Sequence, residues 1–395
     1  MGALQQNTKY KYLMSLGHFC SDINQGALSA VLPFLIAAHG YSYATAASLV
    51  MISNLVGSAV QPLIGYLSDK RSTTWAIPAG VLMAGSGIAL TGFTSSFFGL
   101  CIAVVISGTG VSLFHPQAVK LVNYASDANN KARSIGIFSF GGSLGFSLGP
   151  MLVSTAILAV GMHGTAVFLA LALISSTIFF SQYKSMTELG ARRASAGKSG
   201  GAGGADDWRA FGRLCFVIFG RSIMMCGMNT FLALYWIHEL GQTERAGSAA
   251  LSVYYAMGAI CTLLGGRLAD RFGCRRMIKI SLSFFVPAVL LLVLTHNLYL
   301  ASALLLPIVA SLYFSYSPMV VLGQQYLPNH VGFASGVTLG LAISIGGIMA
   351  PVLGMVADRF SLSAAFCAMA ALALIPLTAS FFLKPAEDEA GEQRA

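Results

Sequence analysis

The chain has 395 residues, 56% of them hydrophobic and only 9% charged, with a mean hydropathy of +0.73. Soluble domains carry about 25% charged residues, so this balance excludes an ordinary soluble fold and points to a polytopic membrane protein. The formal net charge is +9, but the lysines and arginines line the ends of apolar stretches, as at a membrane edge, and give no other sign of nucleic-acid binding.

In chain order, twelve apolar stretches run near 13–38, 44–66, 74–93, 97–121, 133–158, 162–183, 211–237, 246–269, 277–295, 298–322, 331–356 and 361–383. Roughly 20 apolar residues suffice to cross a bilayer as a helix. A membrane barrel would instead show alternating segments of about ten residues. The first run is long and lacks a small-residue cleavage site, which predicts a retained span rather than a cleaved signal. With the N-terminus inside, the outer loops hold only Arg245 and Arg359, and Arg221 falls within a span. The remaining lysines and arginines then lie inside, so both termini are expected to be cytoplasmic. The seven cysteines show no paired metal-type spacing. Neither a disulfide, a metal nor a cofactor is expected.

Residues 184–210 are rich in Gly, Ala and Ser with mixed charge, which predicts a flexible cytoplasmic linker. It separates an N-terminal six-helix half, 1–183, from a C-terminal half with a short tail, 211–395. The halves share local signals. Gly65-Tyr-Leu-Ser-Asp69-Lys70-Arg71 follows the second span, and Gly266-Arg-Leu-Ala-Asp270-Arg271-Phe-Gly-Cys-Arg275-Arg276 follows the eighth. Gly141-Gly142-Ser-Leu-Gly145-Phe-Ser-Leu-Gly149-Pro150 lies in the fifth, and Gly346-Gly347-Ile-Met-Ala-Pro351 in the eleventh. Equivalent motifs at equivalent places predict an internal repeat, a known transporter plan.

The first span carries His18, Asp22, Gln25 and Ser29, spaced by four, three and four, hence on one helical face. A carboxyl inside a span costs roughly 2.5–3.5 kcal/mol on insertion scales unless a partner or water offsets it. Asp22 is therefore either a structural polar contact or a proton or ligand site. At a helical rise of about 1.5 Å per residue, His18 and His115 come out at comparable depth, and Arg221 near that of Asp22. His18 either orients Asp22 or relays its proton. His115 either marks a kink at Pro116 or contacts substrate or protons, since a histidine titrates near neutrality. Arg221 either snorkels to the membrane edge or anchors an anion through its guanidinium fork. Asn229 and Tyr235 of the seventh span, with Tyr313 and Tyr316 of the tenth, either wall a cavity or simply pack. Gly145 and Gly149 permit close helix contact, and Pro150 bends the helix. There is no Walker-type phosphate loop, nucleophile elbow or HExxH helix, so no enzyme and no ATP-driven pump is expected.

The Gly266–Arg276 loop, its shortened copy at Gly65–Arg71 and the two-half plan resemble the major facilitator superfamily across nearly the whole chain. The shortened copy lacks the second glycine and the distal basic pair. Gly17-His18-Phe-Cys-Ser-Asp22, Gln61-Pro62, Gly108-Thr-Gly110 with Phe114-His115-Pro116, and Gly141 through Pro150 resemble the fosmidomycin resistance protein group more narrowly. Where that group commonly has an acid after His-Pro, this chain has Gln117, so a second carboxyl is missing. The resemblance implies an all-α fold of twelve transmembrane helices in two pseudo-symmetric halves. It further implies a monomeric, multi-pass carrier of the inner membrane that exports a small amphipathic or anionic compound in exchange for protons. The alternatives are an importer or symporter of an organic anion, or a ligand-binding membrane sensor. Under this resemblance Asp22, His18 and His115 couple protons. Arg221, Gln25, Gln117, Asn229, Tyr235, Tyr313 and Tyr316 meet substrate. Asp69, Lys70, Arg71, Asp270, Arg271, Arg275 and Arg276 form a cytoplasmic gate, and the glycine–proline run of the fifth span resembles an antiporter motif.

Overall fold

A computed structural model describes residues 3–70, 73–125, 131–194, 205–328, 330, 333–334 and 336–384. Their secondary structure is helical throughout. The helices are α1 (Ala3–His39), α2 (Tyr43–Lys70), α3 (Ala76–Leu90), α4 (Phe97–Tyr124), α5 (Lys131–Val160), α6 (Ala166–Ser181), α7 (Tyr183–Ala194), α8 (Trp208–His238), α9 (Glu244–Phe272), α10 (Cys274–Ser283), α11 (Phe285–Leu294), α12 (Leu298–Phe314), α13 (Tyr316–Tyr326), α14 (Ala342–Arg359) and α15 (Leu362–Ser380). A π-helical stretch, Gly336–Leu341, leads into α14. Among the described residues, ten segments are long and apolar enough to cross a membrane, by length and composition. Tyr43–Ser58 and Ala76–Leu90 are shorter apolar helices, and the set is consistent with the twelve predicted stretches. Large apolar side chains such as Phe98, Phe180, Leu294 and Phe382 stand exposed, which suits lipid as the surrounding solvent.

Two predicted spans are each broken in the middle. The break between α10 and α11 falls at Phe284 and that between α12 and α13 at Ser315. Each lies three residues before a proline, Pro287 or Pro318. Proline has no N–H, so the carbonyl four residues back loses its helical partner. The predicted linker 184–210 also differs at its ends. Its first residues belong to α7 and its last begin α8, while 195–204 lie outside the described residues. Met186 and Leu189 sit three apart on one face of α7, with Met186 fully buried in a cluster around Tyr10, Met14 and Phe179. That apolar anchor stabilises a helix which the Gly/Ser-rich average conceals.

The chain divides into two compact units, Met1–Tyr41 with Ile52–Ser199, and Ser42–Met51 with Gly200–Ala395. In the first unit α1 runs through the core, packed most extensively on α5, while α3 packs on α4 and α6. The α1–α5 seam is made by glycines. A Cβ added at Gly145 would fall 2.6 Å from the Phe19 carbonyl oxygen, and one at Gly26 2.5 Å from that of Phe146. Small residues let helix backbones approach closely where packing, not water exclusion, drives association. The second unit repeats the device within itself. There α8 packs on α14 and α15, and a Cβ at Gly346 of α14 would run into the Ser222 carbonyl of α8.

Candidate functional site

Within the first unit, the α1 face predicted from spacing meets α4 around one carboxylate. Asp22 is 4% exposed. His18 lies one turn before it on α1, and its Nε2 stands 3.0 Å from Asp22 Oδ2. His115 reaches in from α4, with Nε2 3.1 Å from Asp22 Oδ1. The Gln25 amide donates to the same Oδ1 at 3.1 Å. The outer nitrogen of each imidazole is fixed on a backbone carbonyl. His18 Nδ1 lies 2.8 Å from the Phe138 oxygen and His115 Nδ1 2.9 Å from that of Val111. The His18 ring stacks on Phe138 and meets His115 edge-on.

These contacts determine where protons must be. A carbonyl oxygen only accepts, so each Nδ1 carries a hydrogen. Each Nε2 then bears either a lone pair or a second proton. A lone pair facing a carboxylate oxygen at hydrogen-bond distance is repulsive, so each Nε2–Oδ contact needs a proton in it. A carboxylic acid can supply only one of the two. With both contacts made, at least one imidazole is an imidazolium, and the triad carries one net positive charge wherever the shared protons sit. Such protons belong to the group rather than to a residue.

The triad is closed on one side by backbone. A Cβ at Gly142 of α5 would lie 2.5 Å from His18 Nε2 and 2.6 Å from Asp22 Oδ2. The Gly141–Gly142 pair is visible in the sequence, but this role is not, because it depends on how α5 meets α1.

The second unit holds the buried cation. Arg221 of α8 is 3% exposed, which excludes snorkelling in this arrangement. Its Nε donates to the Leu312 carbonyl at 2.6 Å, and Nη2 lies 3.4 Å from Met225 Sδ. Leu312 is in the last turn of α12, where carbonyls lack intrahelical partners. The guanidinium sits 5.1 Å from the Tyr316 ring centroid, a cation–π contact. Among the described residues no carboxylate pairs with Arg221. Tyr254, which the sequence does not single out, is fully buried beside Tyr313, with ring centroids 5.7 Å apart. Its hydroxyl makes no well-formed hydrogen bond among the described residues, and the Tyr313 hydroxyl is its polar neighbour.

The other candidates divide. Gln117 is buried, and neither its Nε2 nor Oδ1 of Asn229, two turns beyond Arg221 on α8, has a hydrogen-bond partner among the described residues. Tyr316 lies under the arginine, and Tyr313 meets the Tyr254 ring. Tyr235 is 1% exposed, donates its hydroxyl to the Leu292 carbonyl and packs on Phe366. With its polar atom satisfied and no free surface, it is a core residue rather than a cavity wall. Of the gate residues, Arg71 and the side chains of Asp69, Lys70 and Asp270 lie outside the described residues. Arg271 is exposed over Phe272, Arg276 is exposed, and Arg275 donates to the Leu383 carbonyl at 3.2 Å. Gly149 and Pro150 lie on α5, where a side chain on Gly149 would collide with the Ile23 carbonyl.

The family model described as Major Facilitator Superfamily matches residues 14–351 and 214–395. The chain is 26% identical over 371 residues to the fosmidomycin resistance protein of Escherichia coli (strain K12), covering 93% of this chain and 91% of that one. It is 28% identical over 395 residues to an uncharacterized transporter of the same superfamily from Bacillus subtilis (strain 168), covering 98% and 95%. A solved nucleoside transporter, a point mutant of NupG, has the same fold, with a TM-score of 0.74 at 12% identity over 95% of this chain and 99% of that one.

Proposed function

The chain belongs to the Major Facilitator Superfamily, and from that membership we propose that it is a proton-coupled antiporter that exports a small anionic or amphipathic compound. The observation that carries the reading is the pair of Asp22 contacts to His18 and His115 at 3.0 and 3.1 Å, each of which is attractive when it holds a proton. A buried carboxylate held between two histidines on two helices is a device for taking up and releasing protons as its surroundings change. Arg221 supplies the other half. A buried guanidinium with no carboxylate partner among the described residues is costly, and an anionic solute offsets that cost while the substrate is bound. Carboxylate and phosphonate both fit the guanidinium fork. Fosmidomycin, named in the E. coli relative, is a phosphonate and is the first compound to test.

In alternating access, protons entering the triad from outside accompany release of the anion, and their loss to the cytoplasm accompanies its reloading. Proteoliposomes with an imposed pH gradient test this. An antiporter concentrates labelled fosmidomycin, or another organic anion, in the acidic compartment, and a protonophore abolishes the accumulation. Accumulation in the alkaline compartment would mark symport, the importer reading, and accumulation indifferent to the protonophore would remove proton coupling.

A further inference from the structure

We infer that His18, Asp22 and His115 form a binding site for one divalent transition-metal cation. The sequence offers no cysteine spacing for a metal, and no metal is expected from it. The site emerges only when α1 and α4 come together. His18 Nε2, His115 Nε2 and an Asp22 oxygen all lie within 4.8 Å of one another, and the two nitrogen–oxygen separations are 3.0 and 3.1 Å. In a tetrahedral zinc site the bonds are about 2.0–2.2 Å, which puts neighbouring ligand atoms about 3.3–3.5 Å apart. The two nitrogen–oxygen separations need to open by only a few tenths of an ångström, while the two imidazole nitrogens, within 4.8 Å of each other, draw together by up to about 1.3–1.5 Å.

Three further features fit a metal. Both imidazoles already donate Nδ1–H to backbone carbonyls of α4 and α5, the outer contacts that orient a ligating histidine and fix its tautomer. Two imidazoles with one carboxylate suit zinc, cobalt or nickel rather than magnesium or calcium, which take oxygen ligands. Finally, a divalent ion brings the same charge as the two protons it replaces, so the buried surroundings meet no new net charge. The His115 side chain is 20% exposed and that of His18 12%, which leaves an approach to the ligand nitrogens. Three protein ligands leave a fourth position open, as in exchangeable rather than closed structural sites. The inference stands on this geometry whether or not the triad couples protons to transport.

The test uses the full-length protein in detergent, purified without a polyhistidine tag and stripped with chelator. Titration with Co²⁺ is expected to saturate at one equivalent per chain with the strong visible absorption of four-coordinate cobalt, and one equivalent of Zn²⁺ is expected to displace it. His18→Gln and His115→Gln are each expected to weaken binding at least about tenfold, while His330→Gln, at an exposed pair with Asp206, leaves it unchanged. Each variant's melting transition in chelator shows whether it is folded. Wild-type protein that takes up no saturable equivalent, or shows only the pale spectrum of six-coordinate cobalt, overturns the inference. So does a folded His115→Gln that binds like wild type. These are equilibrium measurements on binding alone, so their failure is distinguishable from a failure of proton-driven transport.

Discussion

Asp22 and His115 meet across two helices at 3.1 Å, Oδ1 to Nε2, while the far nitrogen of the same imidazole is fixed on the Val111 carbonyl. Because that far nitrogen must carry its hydrogen, the contact to Asp22 is attractive only when it holds a proton of its own. The link between α1 and α4 at this depth therefore changes sign with protonation, and the same is true of His18 within α1.

The packing of α5 against the triad is the first point open to test. Gly142→Ala places a methyl group where His18 Nε2 and Asp22 Oδ2 now lie. Overpacking of this kind costs about 1–3 kcal/mol, and thermal unfolding in detergent is expected to show that loss together with impaired transport. Gly136→Ala on the same helix meets nothing within 4 Å and is expected to be neutral or to stabilise by about 0.5–1 kcal/mol. Identical melting curves for the two variants would show that Gly142 is not there to admit the triad.

At Arg221 the expected result is loss of anion binding. Arg221→Ala should abolish calorimetric binding of fosmidomycin or another anionic substrate while the protein stays folded. Arg221→Lys should recover only part, because an ammonium is a point charge without the planar fork. Affinity unchanged in the alanine variant would make Arg221 a structural residue, held by Leu312, Met225 and Tyr316.

For Tyr254 stability and binding should separate. Its buried hydroxyl has that of Tyr313 as a polar neighbour and makes no well-formed hydrogen bond to a described residue, so Tyr254→Phe is expected to leave melting little changed. A hydrogen bond to a charged partner is worth about 1.5–3 kcal/mol, so if the hydroxyl serves the substrate, affinity for the anion falls roughly tenfold or more. A variant that binds as well as wild type would reduce Tyr254 to packing.

Much of this is readable along the chain because a membrane span is a strong signal and a polar residue inside one stands out. The four-residue step from His18 to Asp22 already implies their contact, and the rise per residue brings His115 to their level. The helix breaks at Phe284 and Ser315 are hidden because the apolar runs continue through them, although Pro287 and Pro318 mark both. Gly142 and Tyr254 are not legible for a different reason. What each does depends on which helix lies opposite, and helical periodicity describes only one helix at a time. For Tyr235 the sequence leaves a cavity wall and plain packing both open, and what separates them is a contact the helix alone does not show, its hydroxyl on the Leu292 carbonyl. The α7 helix is masked by averaging over its Gly/Ser-rich neighbour.

The central claim is that proton movement drives transport through Asp22. Asp22→Asn keeps the shape and some hydrogen bonding but can neither ionise nor share an acid proton. The most direct measurement is flux in proteoliposomes under an imposed pH gradient, read together with proton movement. The variant is expected to bind substrate and to exchange labelled for unlabelled substrate, but not to concentrate it against a gradient. Asp22→Asn protein that accumulates substrate at the wild-type rate, with wild-type proton movement, would contradict the central claim.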